Sequence, residues 1–302
     1  MVKDNLLRLA KREGWQGEVR TLSCRSERVL IGAGDVVMKA HAPLTNSQDL
    51  KARLNIVSME PWNQVFLKPL RQDVFDLGDD RVATAWPLAR VLDENQSKIP
   101  WEHAAWVLAK LHSIPIDRKA FAFEAPKSRA VTRVKLALAQ LYDVSENERD
   151  AVWQAIDASG KTLDLSDEAD QPTHWVHGDW HLGQIVDISF GSQPNLRLID
   201  MEDMGIGNAA WDLARPAAFF AAGLLSAEDW QLFLETYQNE GGRALPRGED
   251  PWLTLDNPAR SLVVQCAANA WIKAREENRS YRDDEQLLIN ACERICVTPI
   301  SI

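Results

Sequence analysis

Cysteine is scarce in this 302-residue chain, and its spacing is uninformative for metal binding. The four residues are Cys24, Cys266, Cys292 and Cys296, with no C-x-x-C pair. That argues against a disulfide framework or a thiolate zinc site and points to buried free thiols. An excess of positive charge is also lacking. Thirty-four Lys and Arg face 44 Asp and Glu, for a net charge of −10 and an isoelectric point near 5.2. A nucleic-acid partner is therefore not expected. No uncharged apolar run is longer than Pro216–Ala227, well short of the about 20 residues that span a bilayer. The first fifteen residues, MVKDNLLRLAKREGW, alternate charge with leucine and lack the continuous apolar core of a secretory signal. A soluble, cytoplasmic protein without a membrane partner is the expectation. A Walker A pattern is missing, which excludes a P-loop kinase. Internal repeats and low-complexity tracts are missing too.

What is present is an ordinary globular composition, 45% hydrophobic and 26% charged, with 12 Trp. Several of those indoles need polar partners. Charge divides unevenly along the chain. Residues 1–90 carry a balance of +3 and the remainder −13, an arrangement suited to phosphate on one side and a cationic substrate on the other. Periodicity predicts a helix over 3–13, then short strands at 19–22, 29–31 and 36–39. A helix over 47–58 follows, then strands at 65–70, 74–77 and 81–86. Helices at 101–113, 126–143 and 147–159 come next. After residue 209, helices at 209–223, 227–239, 257–278 and 283–295 dominate. Strands first and helices later indicate α+β with segregated lobes. The boundary is expected near residue 88, giving a nucleotide-binding part over 1–88 and a catalytic, substrate-binding helical part over 89–302.

The stretch between residues 174 and 214 concentrates the polar chemistry. It contains His177-Gly178-Asp179-Trp180-His181-Leu182-Gly183-Gln184, then the apolar run 196–199 ending in Asp200, then Glu202, Asp203 and Asp212. A carboxylate, an amide five residues later and a second carboxylate after a short strand pair are what phosphoryl transfer from a magnesium nucleotide requires. One acid orients the acceptor hydroxyl, and the amide and the other acid hold the metal. These segments, HGDWHLGQ, LIDMEDMGIG and WDLA, resemble the motifs of the aminoglycoside phosphotransferase family. The HLGQ loop is similar to its maltokinase and glucosamine-kinase branch, with Gln184 where the family usually has Asn.

That resemblance implies a bilobal protein-kinase-like fold, a small mostly-β N-terminal lobe and a larger mostly-α C-terminal lobe. It implies ATP and Mg²⁺ as cofactors and a hydroxylated small molecule as acceptor. Asp179 takes the role of catalytic base, and Gln184, Asp200 and Asp203 that of metal ligands. Lys39 on the third strand pairs with the nucleotide phosphates, with Asp49 as its helix-borne acid and Glu60 as second candidate. Ser23 and Ser26 serve a phosphate loop that has no glycine. Trp86 and Leu88 belong to the hinge that meets the adenine. His177, His181 and Asp212 are structural supports. Trp271, Glu276 and Glu277 are candidate substrate contacts. The acceptor expected is a sugar or amino sugar, with an amino alcohol or an aminoglycoside as alternatives. Two other readings compete: a transition-metal hydrolase built on His177-x-Asp179-x-His181, and a kinase-like pseudoenzyme scaffold.

Overall fold

The computed structural model describes residues 1–25, 28–92, 99–117, 121–166, 173–189 and 194–297. The chain divides into two compact units. The first comprises Met1–Ile99, Asp117–Pro126 and Leu182–Glu202, and the second Pro100–Ile116, Lys127–His181 and Asp203–Ile302.

The first unit is built on an antiparallel sheet of order β1-β2-β3-β5-β4. Its strands are β1 (Val19–Arg25), β2 (Arg28–Ala33), β3 (Val36–Ala40), β4 (Phe75–Gly78) and β5 (Arg81–Pro87). Alternation along β2 and β3 turns Ile31 and Met38 inward, where neither retains any exposure. Helix α1 (Val2–Glu13) lays Leu6, Leu9 and Ala10 onto that face and stops at Gly14, whose φ of 75° makes a left-handed cap. Helix α2 (Ser47–Ser58) starts where the Asn46 side chain accepts the amides of Gln48 and Asp49. A smaller sheet, β6 (Arg90–Val91), β8 (Ile185–Asp187) and β9 (Leu196–Leu198), completes the unit.

One predicted strand is absent. Residues 65–70 do not form a ladder with a neighbouring strand. The segment opens with a 3-10 turn at Trp62–Gln64. Its backbone bonds then go to β9, with Leu67 N–H to Leu198 O at 2.8 Å and Leu198 N–H to Val65 O at 2.9 Å. Pro69 has no N–H to donate, and the next bond passes to β5, from Leu70 N–H to Ala85 O at 2.9 Å.

The second unit is helical, with α3 (Trp101–Ser113), α4 (Ala130–Tyr142), α5 (Ala151–Gly160), α6 (Ala210–Ala222), α7 (Ala227–Asn239), α8 (Trp252–Glu276) and α9 (Asp283–Val297). Its one described ladder pairs β7 (His174–Val176) with β10 (Gly205–Gly207), antiparallel. Helix α8 starts five residues earlier than the sequence pattern indicates and carries Pro258 inside it. Leu255, which has no exposure, anchors the added turn. Trp153 and Trp271 find partners for their indole N–H groups in Leu141 O (2.8 Å) and Asp150 Oδ1 (3.0 Å). Trp271 is 1% exposed, so it is a packed core residue and not a substrate contact. Glu276 and Glu277 are exposed at the end of α8. Among the cysteines described, Cys292 is buried but Cys24 is exposed on β1; Cys296 has no described side chain.

Asp187, at the end of β8, accepts the amides of Ser189 (2.8 Å) and Asn195 (3.1 Å) and pairs with Arg90 (2.8 Å). Burial pushes its carboxyl up, but these bonds outweigh it and hold the pKa at about 2. A carboxyl lowered on folding stabilises the native state above the ordinary aspartate pKa and loses that effect as pH falls toward 2. Asp187→Asn is therefore expected to be less stable than wild type by on the order of 2 kcal/mol at pH 6. Urea unfolding should show that gap narrowing steadily between pH 4 and 3. A gap independent of pH would contradict the assignment.

Candidate active site

A cavity of about 470 Å³ lies within the first unit. Lys39, Gln184, Asp200 and Glu202 share its wall with Ser23 and Trp86. Lys39 projects from β3, and its ammonium meets Asp200 Oδ1 at 2.7 Å and Glu202 Oε1. Burial alone would push this lysine down. The two carboxylates outweigh that and hold it above its ordinary value, so it stays charged. Glu202 lies well below the ordinary glutamate range, because Lys39, His41 and Arg28 overcome the burial that would raise it. Asp200 sits at φ 60°, a left-handed conformation uncommon outside glycine and concentrated at functional sites. The Gln184 amide donates to Asp200 Oδ2 at 3.3 Å. A half-turn of that amide places its oxygen beside the carboxylate. One carboxylate and one amide oxygen facing a cavity fit Mg²⁺, which binds through few protein oxygens and takes the rest from phosphate and water.

The hinge segment also lines this cavity, through Trp86, Pro87, Leu88 and Ala89. Pro87 faces Val36 in the β3–β5 ladder, where its missing N–H leaves no gap. The next bond runs from Leu88 N–H to Asp35 O at 2.7 Å. The Leu88 amide is therefore committed to the sheet and cannot serve an adenine. Ala89 is the next residue along the wall.

Two expected nucleotide contacts are corrected. Asp49 does not reach Lys39; its carboxylate is held by Arg53, one turn along α2, at 2.5 Å. Glu60 is exposed and does not line the cavity. Ser26 lies outside the described residues.

The second unit carries Asp179. The pairing of β7 with β10 brings the loop after Val176 beside the residues before Gly205. Gly178 has φ 83°, and a Cβ there would lie 2.2 Å from Asp203 O; only glycine allows this approach. Asp212, in the first turn of α6 and fully buried, accepts His177 N–H at 2.6 Å and Gly178 N–H at 2.8 Å. His112 Nε2 reaches the same carboxylate at 3.1 Å, and its Nδ1 meets Tyr237 Oη at 2.7 Å. His177 Nδ1 accepts the Asp179 amide at 3.3 Å. His181 is half-buried where the chain leaves this unit.

The Asp179 carboxylate is flanked by two arginines that sequence reasoning missed. Arg133 reaches Oδ2 at 2.8 Å and Arg215 reaches Oδ1 at 3.2 Å. Arg215 stands three residues after Asp212 on the same helix, nearly one turn along, a spacing that could have flagged it. Asp203, expected as a metal ligand, is instead matched by Arg133 at 2.8 Å and Arg129 at 3.5 Å. Among the described residues, no three His, Cys, Asp or Glu side chains gather as a metal-binding group. His177 is fully buried and serves the loop backbone, which removes the transition-metal reading.

These features define a phosphotransferase of the protein-kinase-like α+β fold. The model of the APH phosphotransferase enzyme family matches residues 78–252, more than half of the chain, and the chain belongs to that family of small-molecule kinases. No curated protein matches it significantly. Among solved structures it is similar to a choline/ethanolamine kinase family protein from Mesorhizobium loti. That match has a TM-score of 0.61 at 16% identity and covers 99% of this chain and 96% of the other. It is also similar to a choline kinase from Streptococcus pneumoniae (TM-score 0.61, 15% identity, 96% and 97% covered). A spectinomycin phosphotransferase solved with ADP and spectinomycin is a third (TM-score 0.59, 13% identity, 97% and 98% covered). At these identities the likeness is one of fold. No helix among the described residues is long and apolar enough to cross a membrane.

Asp212→Ala leaves two buried amides and a buried imidazole without their shared acceptor. A loss of about 3–5 kcal/mol in unfolding free energy is expected. A loss under 1 kcal/mol in urea titration would show that the loop does not depend on this brace.

Proposed function

We propose that this enzyme transfers the γ-phosphoryl group of ATP, with Mg²⁺, to a hydroxyl of a sugar. The observation that carries the nucleotide half is the meeting of Lys39, Asp200 and Gln184 on one cavity wall. Lys39 holds phosphate oxygens as a point charge. Asp200 and Gln184 hold the metal, which when bound neutralises charge on the transferring group. The segment Trp86–Ala89 receives the base. Asp179 takes the acceptor hydroxyl. Each carboxylate oxygen has two lone pairs, so the arginine bonds leave one free on each. Asp179 therefore orients the hydroxyl and receives its proton as the new O–P bond forms.

The acceptor half rests on the charges around Asp179. Arg133 and Arg215 flank it, and Arg129 adds a third guanidinium beside Asp203. Three cations against two carboxylates disfavour a cationic acceptor at this point, whatever the acidity of the wider surface. That supports an uncharged sugar ahead of an amino sugar or aminoglycoside. The HLGQ loop, similar to that of maltokinases and glucosamine kinases, supports the same reading. An amino alcohol is the second reading, favoured by the likeness in fold to choline kinases.

An ADP-release screen across sugars, amino sugars, aminoglycosides and amino alcohols tests the acceptor. Highest turnover with a neutral sugar is expected; a clear preference for a cationic acceptor would overturn the sugar assignment. Asp179→Ala is expected to lower turnover by about 10²–10⁴-fold while ATP affinity changes little. Activity near that of wild type would remove Asp179 as the base. In Gln184→Ala, half-maximal activity should need more Mg²⁺; an unchanged Mg²⁺ dependence would take Gln184 out of the metal shell.

A further inference from the structure

In the cavity of the first unit, Lys39 has an anionic partner that does not come from helix α2 but from the 3-10 turn Met201–Asp203. Helix α2 offers a single acid, Asp49, and Arg53 occupies it. Glu202 contacts Lys39 instead, from the segment that follows Asp200. It is 16% exposed, and it is itself fixed from behind. His41 Nδ1 lies 3.0 Å from Glu202 Oε1, and His41 Nε2 lies 3.0 Å from Thr84 Oγ1. Thr84 also accepts the Trp86 indole N–H at 2.9 Å. His41 and Thr84 are 2% and 1% exposed. Lys39 near the end of β3 and His41 just beyond it are two residues apart, and both line the cavity. From the outer side, Arg28 reaches Glu202 Oε2 at 3.4 Å. The result is a continuous chain of polar contacts: Trp86, Thr84, His41, Glu202, Lys39.

We infer that Glu202, backed by His41, which Thr84 holds in turn, is the positioning residue for Lys39, the task the sequence assigns to a helix acid. Asp200 is the other carboxylate at the ammonium, but the proposed function requires it for the metal. An anion that stays with Lys39 throughout must be a different one. Glu202 answers that need, with its geometry set by a buried imidazole rather than by the placement of α2. The chain ends at Trp86, so the same contacts join the phosphate end of the cavity to its hinge segment. Substitution at His41 should therefore weaken nucleotide binding although His41 itself touches no phosphate.

The inference rests on the reading of this cavity as a nucleotide site, and the test separates the two. Dissociation constants for ATP are measured by calorimetric titration twice, with Mg²⁺ and with EDTA replacing it. A positioning role acts on Lys39 whether or not metal is present; a metal-ligand role acts only with Mg²⁺. Glu202→Gln is expected to raise Kd about tenfold in both conditions, the loss of one charge-assisted contact. His41→Ala should show the same twofold-condition pattern at smaller size. His41→Asn, which keeps a polar side chain beside Glu202, should recover most of the affinity. Asp49→Asn should stay within about twofold of wild type. A Glu202→Gln effect confined to Mg²⁺, or no effect, overturns the inference while the nucleotide site stands. So does a weakening in Asp49→Asn as large as in Glu202→Gln. If wild type binds no ATP in either condition, both the site and the inference fall. Should Glu202→Gln not fold, the His41 pair carries the test: equal affinity in His41→Ala and wild type overturns the inference.

Discussion

An ammonium–carboxylate contact of 2.7 Å joins Lys39 to Asp200, 161 residues later in the chain. The rest of the first unit can be read as the means of sustaining it. Burial acting alone would lower the pKa of a lysine this enclosed. Two carboxylates prevent that, and they in turn need counter-charges and donors to remain in place. Arg28, His41 and the Gln184 amide supply them. The sheet provides the lysine, and the returning excursion of residues 182–202 provides both acids. Such a group is costly to break by removing a single member, because what remains is an uncompensated buried charge. Its donors and acceptors also face a cavity. That is the condition of a site prepared for a multiply charged ligand.

The second unit solves a different problem with similar means. Its acid must stand in a loop, yet hold one orientation. Asp212 accomplishes this indirectly by taking two successive backbone amides of the loop, and His112 and Tyr237 secure Asp212 behind it. Gly178 permits the tight approach that this bracing imposes. Arg133 and Arg215 then fix the carboxylate itself. Orientation by hydrogen bonds to rigid elements suits a transfer in which positioning contributes more than strong basicity. The same arginines leave the immediate surroundings of Asp179 far less negative than the −13 balance of residues 91–302 suggests.

Much of this was legible in the sequence, for identifiable reasons. Strand alternation and helix periodicity report local burial, so most elements were visible. Residues 65–70 misled because an apolar run bounded by polar residues looks the same whether it pairs along a strand or bonds singly to β9. Asp179, Gln184 and Asp200 stood out because their spacing is set by one continuous loop and strand pair. Asp203 was misplaced because its partners are fixed by tertiary approach: Arg133 of α4 and Arg129 just before it are far from Asp203 in sequence. Asp49 was misplaced although its partner Arg53 lies one turn along the same helix, a local signal that was legible. Glu202, which meets Lys39, and Asp203, which meets Arg133, are neighbours at the point where the chain passes between units. Adjacent acids cannot be told apart by composition. His41 had a readable signal, the two-residue spacing from Lys39, but its partners did not.

The central claim is that the Lys39–Asp200 pair with Gln184 forms a site for a magnesium nucleotide. Thermal unfolding with and without saturating Mg-ATP tests it most directly, because a ligand bound only to the native state must raise the melting temperature. The account predicts a clear rise in the wild-type protein, and an Asp200→Ala protein in which adding Mg²⁺ to ATP gives no further rise. Wild-type protein whose melting temperature does not move at saturating Mg-ATP would contradict it.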